Sequence, residues 1–365
     1  MEIGIIGLPM SGKTTVFNAL TRGNAATAAR SPADKPNIGV VKVPDPRLDV
    51  LTKMFKPRKT VPAEVTYTDI PGAPEGLGKT TGIGGEFLNR LQKASALLLV
   101  VRAFNDPSVP HPQTTIDPFR DLDTMNMELA FSDMAILERR VKRLDDTLKG
   151  AKTQERDAAI KEKAILERIK AELENGTPIR EQKTSPSELP LLENYKFLTA
   201  KPLLVALNID EDQLPQSAKL EQEMAARLKS QQTLAVVLAG KLEAELAQMQ
   251  GEEEEEFRKS LGAGESGLSR MLRLSYQLLG LIAFFTVGED ECRAWTITRG
   301  DEALKAAGKI HSDIERGFIR AEVIAYDDLI ACGSLAEGRK KGLLRQEGKA
   351  YVVKDGDIAH FLFNV

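Results

Sequence analysis

One eight-residue segment near the N-terminus constrains the fold of this chain more than any other feature. Residues 7–14 read GLPMSGKT and match the pattern G-x-x-x-x-G-K-[S/T]. They directly follow the apolar residues 3–6, which are typical of a buried strand, and residues 13–20 open a helical pattern. A strand, a glycine-rich loop and a helix in this order surround phosphate oxygens with backbone N–H groups. The sequence therefore predicts an α/β domain that binds a nucleoside triphosphate.

Each residue type in this loop has a role in phosphate binding. The glycines let backbone amides turn inward, Lys13 reaches the β- and γ-phosphates, and the Thr14 hydroxyl is a ligand for Mg²⁺. Lys13 and Thr14 are therefore candidate catalytic residues. The candidate nucleotide contacts are Gly7, Pro9, Met10, Ser11, Gly12, Lys13, Thr14 and Thr15. The alternative is a glycine-rich turn with a solvent-exposed lysine, which the position between strand and helix disfavours.

A second motif, DIPG at 69–72, ends the strand-like residues 64–69. There the Asp69 carboxylate is suited to hold Mg²⁺ through water, and the Gly72 N–H to sense the γ-phosphate. A D-x-x-G sequence alone is weak evidence, because such sequences are common in turns. Its position at a strand end after the phosphate loop strengthens it. We expect Thr14 and Asp69 to form the metal site, and Asp69 and Gly72 to join the catalytic set.

A third motif is expected to read the nucleotide base. Guanine-specific sites commonly carry N-K-x-D after a strand, but the strand-like residues 202–207 are followed by NIDE at 208–211. The lysine is missing, and the longer Glu211 does not fit the fork that guanine offers. Adenine presents an exocyclic amine, which can donate a hydrogen bond to Asn208 or to backbone carbonyls, so ATP is favoured over GTP. The alternative is an ordinary helix N-cap. The predicted contacts here are Asn208, Glu211, Ala239 and Gly240.

The order of strand-like and helical segments predicts three domains. Strands and helices alternate in the first third and again after residue 197, which is typical of a parallel sheet covered by helices. Between them, two stretches with helical spacing flank the polar residues 150–157 and predict a helical hairpin. The expected domains are residues 1–118 with 197–281 (P-loop nucleotide-binding domain), 119–196 (inserted helical coiled-coil hairpin) and 282–365 (small α+β domain). The predicted strands are residues 3–6, 38–43, 64–69, 96–101, 202–207, 233–238, 294–298, 321–325, 351–353 and 360–365.

Charge and cysteine content limit the functional classes. The 50 basic residues against 53 acidic residues give a net charge of -3, which argues against a protein that coats nucleic acid. Two cysteines form no disulfide framework and fit a reducing compartment. The N-terminus lacks signal-peptide features, and no apolar run is long enough to span a bilayer. We expect a cytoplasmic protein with no membrane partner and no DNA partner.

These motifs, together with longer segments, resemble the Obg-like ATPases, the YchF family of translation-factor-class P-loop NTPases. The matching segments are GLPMSGKTT at 7–15, PNIGVVKVPDPRLDVL at 36–51, TDIPG at 68–72, NIDE at 208–211, and the C-terminal EDECRAWTI, AAGKIHSDIERGFIRAEVIAYDDL and EGKAYVVKDGDIAHFLFNV. The resemblance covers essentially the whole chain. It implies a Ras-like nucleotide domain, an inserted coiled coil and a C-terminal TGS domain of ubiquitin-like fold. It also implies ATP hydrolysis and association with the ribosome, through rRNA or tRNA.

Three positions depart from the family pattern and indicate a divergent member. Met10 stands where the family usually has an Asn linked to potassium activation, and a thioether is a poor ligand for a hard cation. Ala33 replaces a switch I Thr, which removes a candidate contact to Mg²⁺ or water. Ala73 follows the D-x-x-G motif where the family has Leu, so no glutamine orients the attacking water there. Slow turnover without a partner is expected.

The residues leave two classes of function open. The first is an ATPase switch that reports its nucleotide state to a large partner. The alternative is a regulatory module that binds nucleotide with negligible turnover, or a GTPase of the same fold. No catalytic role is predicted for His111, His311 or His360. A basic RNA-binding face and an ordinary solvated surface are equally compatible with Arg316, Arg320, Arg339, Lys340, Lys341, Arg345 and Lys349.

Overall fold

The structure, a computed structural model, describes residues 1–23, 36–69, 83, 85–149, 153–228, 230–249, 252–261 and 264–364. The chain forms two compact units. One comprises Met1–Val40 and Thr66–Leu274, and the other comprises Val41–Val65 and Ser275–Val365. Ala33, Gly72 and Ala73 lie outside the described residues, so their roles stay predictions.

Twelve strands and fourteen helices, besides two short 3₁₀ helices, are present in these residues. The strands are β1 (Glu2–Ile6), β2 (Asn37–Val43), β3 (Lys59–Val61), β4 (Ala63–Asp69), β5 (Ala96–Arg102), β6 (Leu203–Asn208), β7 (Thr233–Leu238), β8 (Leu281–Thr286), β9 (Glu291–Thr298), β10 (Phe318–Ala325), β11 (Arg345–Glu347) and β12 (Asp357–Phe363). The helices are α1 (Lys13–Thr21), α2 (Pro46–Phe55), α3 (Gly85–Lys93), α4 (Pro118–Leu148), α5 (Thr153–Glu174), α6 (Leu189–Tyr195), α7 (Ser217–Arg227), α8 (Gly240–Leu246), α9 (Glu252–Ser260), α10 (Gly267–Leu278), α11 (Ala303–Ile310), α12 (Ser312–Arg316), α13 (Tyr326–Cys332) and α14 (Leu335–Lys340). None of the described helices is both long and apolar enough to cross a bilayer.

The first sheet has the strand order β2-β4-β1-β5-β6-β7. Strand β1 pairs in parallel with β4 and β5, and β5, β6 and β7 continue the parallel pairing. Every residue of β5 and β6 is buried, as expected where helices cover both faces of a sheet. The strand order reverses between β1 and β5. The loops after these two strands therefore flank the crevice where such sheets bind ligands. The predicted α/β fold is confirmed.

Helix α4 packs both against this sheet and against the second helix of the hairpin. It begins at Pro118, because Asp117 caps it by accepting from the N–H groups of Phe119 and Arg120. Its first half packs Leu122, Met125 and Leu129 into the core of the sheet. Its second half packs with α5 through the buried residues Leu137, Leu144, Leu166, Ile169 and Leu173. The predicted hairpin is therefore present, but its first helix starts within the sheet core.

The second sheet has the order β11-β10-β12-β8-β9-β3. Strand β3 pairs in parallel with β9, and Leu48 and Leu51 of α2 pack with Phe285 and Ile324. Residues 41–65, which the sequence analysis assigned to the nucleotide-binding domain, are thus grouped with the C-terminal strands, because this pairing joins residues far apart in the chain. Strand β8 was not predicted. The predicted strand at 351–353 is wrong, since Val352 makes only an isolated bridge to Glu302.

Candidate nucleotide-binding site

The loop between β1 and α1 is shaped by three residues with positive φ. Gly7 has φ 151°, and a Cβ there would lie 2.4 Å from the carbonyl oxygen of Val100 on β5. Gly12 has φ 90°, and a Cβ there would lie 2.3 Å from Asn208 Nδ2. Met10 has φ 63°, a left-handed conformation that non-glycine residues seldom adopt. Both glycines of the motif are therefore required by the close approach of neighbouring strands.

Lys13, the first residue of α1, folds back over this loop. Its Nζ donates to the carbonyl oxygens of Gly7 at 3.0 Å and Leu8 at 2.9 Å. Burial lowers the pKa of Lys13 to about 8, and the nearby Asp69 opposes this shift. A buried ammonium group paired only with neutral carbonyls is poorly compensated. Phosphate oxygens are stronger partners for it than the two carbonyls it now contacts.

Thr14 and Asp69 meet beside the loop. The Thr14 hydroxyl donates to Asp69 Oδ2 at 2.9 Å, and Asn37 Nδ2 approaches the same oxygen at 3.4 Å. Asp69 is fully buried at the end of β4, and its Oδ1 has no hydrogen-bond partner among the described residues. A hydroxyl and a carboxylate with a free oxygen are the donors that Mg²⁺ prefers. The predicted pair Thr14 and Asp69 therefore fits a magnesium ion.

This oxygen pair needs further ligands to hold a metal. No cluster of three or more His, Cys, Asp or Glu side chains suited to a metal lies in the described ranges. Mg²⁺ usually keeps several waters and takes its remaining ligands from substrate phosphates. The residues present therefore suit a metal that arrives with a nucleotide.

Asn208, which the sequence predicts to contact the base, packs against the phosphate loop. Its side chain is buried, with Nδ2 donating to the carbonyl of Ser11 at 3.1 Å and Oδ1 accepting from the Gly240 N–H at 2.9 Å. Both polar atoms are thus engaged in holding the phosphate loop against the turn at Ala239 and Gly240. Oδ1 accepts one hydrogen bond and has a second lone pair, so the contact of Asn208 with the base stays a prediction. Its position at the end of β6 was predictable, but its partners were not.

The rest of the NIDE motif forms a turn. Asp210 caps a short 3₁₀ helix that begins at Glu211, and Gln213 completes a capping box with it. The N-cap that the sequence analysis gave as the alternative is therefore present, and Asp210 is the capping residue. Glu211 is exposed at the first position of this turn.

Sequence reasoning missed the loop that follows β5. Ala103 N and Phe104 N donate to the carbonyl of Asn208 at 2.8 and 3.1 Å. The Phe104 ring lies beside the phosphate loop, because its Cε1 would be 3.7 Å from a Cβ on Gly12. The only available signal was Arg102, a charged residue that ends an otherwise apolar strand.

His111 lies further along the same loop, and its side chain is buried. Its Nε2 lies 2.8 Å from Asp121 Oδ2, and its Nδ1 accepts from the Gln113 N–H at 3.1 Å. Because Nδ1 accepts, the ring proton is on Nε2 and points at the carboxylate. His311 caps α12 by accepting from the Asp313 N–H, and His360 is exposed. The prediction that these histidines are not catalytic stays a prediction.

A parallel sheet whose first strand enters this glycine-rich loop, with Lys13, Thr14 and Asp69 converging beside it, defines the class of P-loop NTPases. Two known families match parts of the chain. Residues 2–137 match MMR_HSR1, described as 50S ribosome-binding GTPase. Residues 281–364 match YchF-GTPase_C, described as Protein of unknown function (DUF933).

Full-length relatives define the family more closely. The chain is 42% identical to Ribosome-binding ATPase YchF of Bacillus subtilis (strain 168), with 100% of both chains covered. It is 40% identical to the protein of that name from Escherichia coli O157:H7, covering 100% of this chain and 99% of the relative. The solved Schizosaccharomyces pombe YchF GTPase matches with a TM-score of 0.86 and 34% identity, over 99% of this chain and 97% of that one. The chain belongs to the YchF family.

Proposed function

We propose that this protein binds ATP with Mg²⁺ and hydrolyses it, and that the bound nucleotide sets its conformational state. The proposal rests mainly on one observation: Thr14 contacts Asp69 beside the phosphate loop, and Lys13 folds back over that loop. The curated relatives are named as ATPases, which supports the same activity.

The residues of the chain have distinct roles in this proposal. Lys13 exchanges its two carbonyl acceptors for oxygens of the β- and γ-phosphates. Thr14 and Asp69 would hold Mg²⁺, directly or through water. When bound, Mg²⁺ would neutralise charge on the phosphates. In the reaction a water oxygen bonds to the γ-phosphorus, the bond to the bridging oxygen of ADP breaks with its electron pair staying on ADP, and the proton that the water loses passes to the solvent.

Further parts of the same proposal concern the γ-phosphate, the base and the turnover rate. Gly72 senses the γ-phosphate through its N–H. The base is contacted by Asn208, Glu211, Ala239 and Gly240. Turnover is slow until a partner supplies a group that orients the water, because Ala73 offers none. A regulatory module with negligible turnover is the weaker alternative, given the relatives' names.

ATP is the proposed substrate, and GTP is the competing one. The chain lacks the aspartate that reads guanine in N-K-x-D sites, and Glu211 is exposed. The solved relative and one matching family are named GTPase, which favours testing GTP directly. Competition of ATP and GTP for a fluorescent nucleotide decides between them. A lower dissociation constant for GTP would overturn the choice of ATP.

Ribosome association is proposed from the relatives, whose names state it. The proposal includes a cytoplasmic location, contact with rRNA or tRNA, the three domains given above, a coiled-coil hairpin and a TGS domain. A basic face in the last domain is weak support, because four of its seven residues pair with acidic side chains: Arg316, Arg339, Lys340 and Arg345. Co-sedimentation with ribosomes at rising salt tests the association, and binding that ignores salt would argue against a phosphate-binding face.

A lysine pair within the first unit offers a matched test of the ATPase proposal. Lys201 resembles Lys13, because its Nζ also donates to two carbonyls, those of Gln92 and Ala94, and its pKa is also lowered to about 8 by burial. We expect Lys13→Ala to lower ATP hydrolysis by about 10²-fold or more, as for loss of a charge-stabilising group. Lys201→Ala should leave hydrolysis nearly unchanged. Equal activity of Lys13→Ala and the wild type would refute the assignment of chemistry to this loop.

A further inference from the structure

Arg102 occupies the last position of β5, in the crevice formed where the strand order reverses. Its Nε donates to the carbonyl of Phe104 at 3.2 Å, and its Nη2 donates to those of Asp106 at 3.3 Å and Val109 at 2.8 Å. The guanidinium also lies over the Phe104 ring, 4.3 Å from its centroid. One side chain thus holds the loop from Phe104 to Val109 from within.

This guanidinium is buried without a paired carboxylate. Arg102 is 2% exposed, and its Nη1 has no hydrogen-bond partner among the described residues. No carboxylate lies within ion-pair distance in the described parts of the chain. Burial lowers the pKa of Arg102, and more distant charges on Asp106, Asp210 and Asp121 oppose this. A buried charge costs stability unless it is well compensated, so the incomplete pairing of Arg102 makes it a candidate for a functional role.

The loop that Arg102 holds is bound on its other side to the nucleotide site. Ala103 and Phe104 donate to the carbonyl of Asn208, and the Asn105 N–H donates to Asp210 Oδ2 at 2.6 Å. The Phe104 ring faces Gly12 of the phosphate loop. The loop is therefore a wall of the site, and its shape depends on three carbonyls that point at one arginine.

We propose that Arg102 is a positioning residue for nucleotide binding, which holds the Phe104–Val109 loop, and with it the Phe104 ring, against the phosphate loop. The inference rests on the proposed function, because the wall matters only if a nucleotide binds there. Arg102 acts through the loop and touches no phosphate. Its loss therefore weakens the binding of every nucleotide that contacts the wall, whatever its number of phosphates.

Arg102→Met tests this role, with Arg180→Met as the matched control. Arg180 also donates to three uncharged acceptors, Thr199 O, Thr233 Oγ1 and Asn126 Oδ1, but it lies near the amino ends of β6 and β7. We expect Arg102→Met to raise the dissociation constants of ATP, ADP and AMP by about tenfold each, about 1.4 kcal/mol. The KM for ATP should rise by a similar factor while kcat stays within about twofold. Arg180→Met should change stability and leave these constants unchanged.

Two more variants, Arg102→Lys and Phe104→Leu, test the same role if Arg102→Met folds poorly. Arg102→Lys keeps the charge but loses the planar fork that reaches several carbonyls. It should still weaken nucleotide binding, and full recovery by lysine would show that charge alone matters. Phe104→Leu should weaken binding by a similar factor, and the double variant Arg102→Lys/Phe104→Leu should add little to it.

The outcomes separate this inference from the proposed function. If the wild type binds no nucleotide in calorimetry with Mg²⁺, the proposed function itself fails. If the wild type binds and all Arg102 variants bind equally well, only the positioning role fails. Losses that grow from AMP to ATP would mean that Arg102 acts on the phosphates by its charge, and would likewise overturn it.

Discussion

The two edges of the parallel sheet in the first unit bury carboxylates in opposite ways. At the carboxyl edge, Ser11 Oγ, Asp69 Oδ1 and Arg102 Nη1 are buried and lack a hydrogen-bond partner among the described residues, and the fourth such atom, Gln182 Oε1, lies in the turn that follows α5. Near the amino edge, Asp133 is fully buried, but its carboxylate accepts from Leu198 N at 2.8 Å and from Thr199 N and Oγ1 at 2.7 Å each.

This difference separates a binding region from a stabilising one. An unsatisfied buried polar group costs about 1–3 kcal/mol, so three of them at one edge are a substantial loss of stability. The phosphate loop adds the left-handed backbone of Met10 to this cost. Such costs concentrate at functional sites, where a ligand completes the missing contacts. The amino edge has no such ligand and satisfies its buried carboxylate internally.

The largest expected effect comes from removing one carboxylate at each edge. Asp133→Ala should lower the free energy of unfolding by about 2–4 kcal/mol, because two backbone N–H groups lose their acceptor in the interior. Nucleotide affinity should change little. Asp69→Ala should destabilise less than Asp133→Ala, because removing the unpaired Oδ1 offsets the acceptor lost to Thr14 and Asn37, but it should remove the Mg²⁺-dependent part of nucleotide affinity. Denaturant unfolding and calorimetry with Mg²⁺ or EDTA measure both. Equal destabilisation by the two substitutions would contradict the difference between a binding edge and a stabilising edge of the sheet.

A smaller effect is expected from pH through Lys13. Its pKa is about 8 in the free protein, and phosphate contacts favour the charged form, so binding above pH 8 takes up a proton. The dissociation constant for ATP should stay constant from pH 7 to 8 and then rise by up to about tenfold per pH unit. Lys13→Ala should remove this rise. A flat profile in the wild type would contradict the role of the ammonium group.

The lowered pKa of Lys13 also makes the free energy of unfolding depend on pH. Between pH 8 and the ordinary lysine value of 10.5, the unfolded chain binds more protons than the folded chain, so stability rises with pH in this window. Lys201, at the other edge, has a similarly lowered pKa and should contribute in the same sense. Lys201→Ala should therefore alter the pH dependence of unfolding but leave that of nucleotide binding intact.

The smallest expected effect concerns the backbone of Met10. Asparagine tolerates the left-handed conformation better than methionine, so Met10→Asn should raise the free energy of unfolding by about 0.5–1 kcal/mol. Lys56→Asn is the control, because Lys56 ends α2 with φ 49° and gains in the same way. Only Met10→Asn should also change nucleotide affinity. An affinity change of equal size in Lys56→Asn would show that the effect is not local.

Much of the fold and part of the site were predictable from local sequence. The phosphate loop, Thr14 and Asp69 were predictable, because each lies directly after an apolar strand and the carboxyl ends of parallel strands share one edge. All six strands of the first sheet were located within one residue at each end, which is within the usual uncertainty of element boundaries.

Contacts between strands distant in sequence were not predictable. The role of Asn208 depends on its position against Ser11 and Gly240, and no local pattern encodes that pairing. The wall held by Arg102 follows from the register of β5 with β6, in which Arg102 pairs with Asn208. The assignment of 41–65 to the second unit has the same cause, because β3 pairs with a strand more than two hundred residues away.

The side chain of Asn208 has a consequence for sequence change over evolutionary time. Its Nδ2 would be 2.3 Å from a Cβ on Gly12, and its Oδ1 would be 2.8 Å from a Cβ on Gly240. A methyl group at either glycine therefore collides with the Asn208 amide. A shorter side chain at position 208 loses the hydrogen bonds to the Ser11 carbonyl and the Gly240 N–H. Among diverging descendants of this gene, we expect positions 12, 208 and 240 to be inherited together, and substitutions at any one of them to survive only with compensating changes at the others.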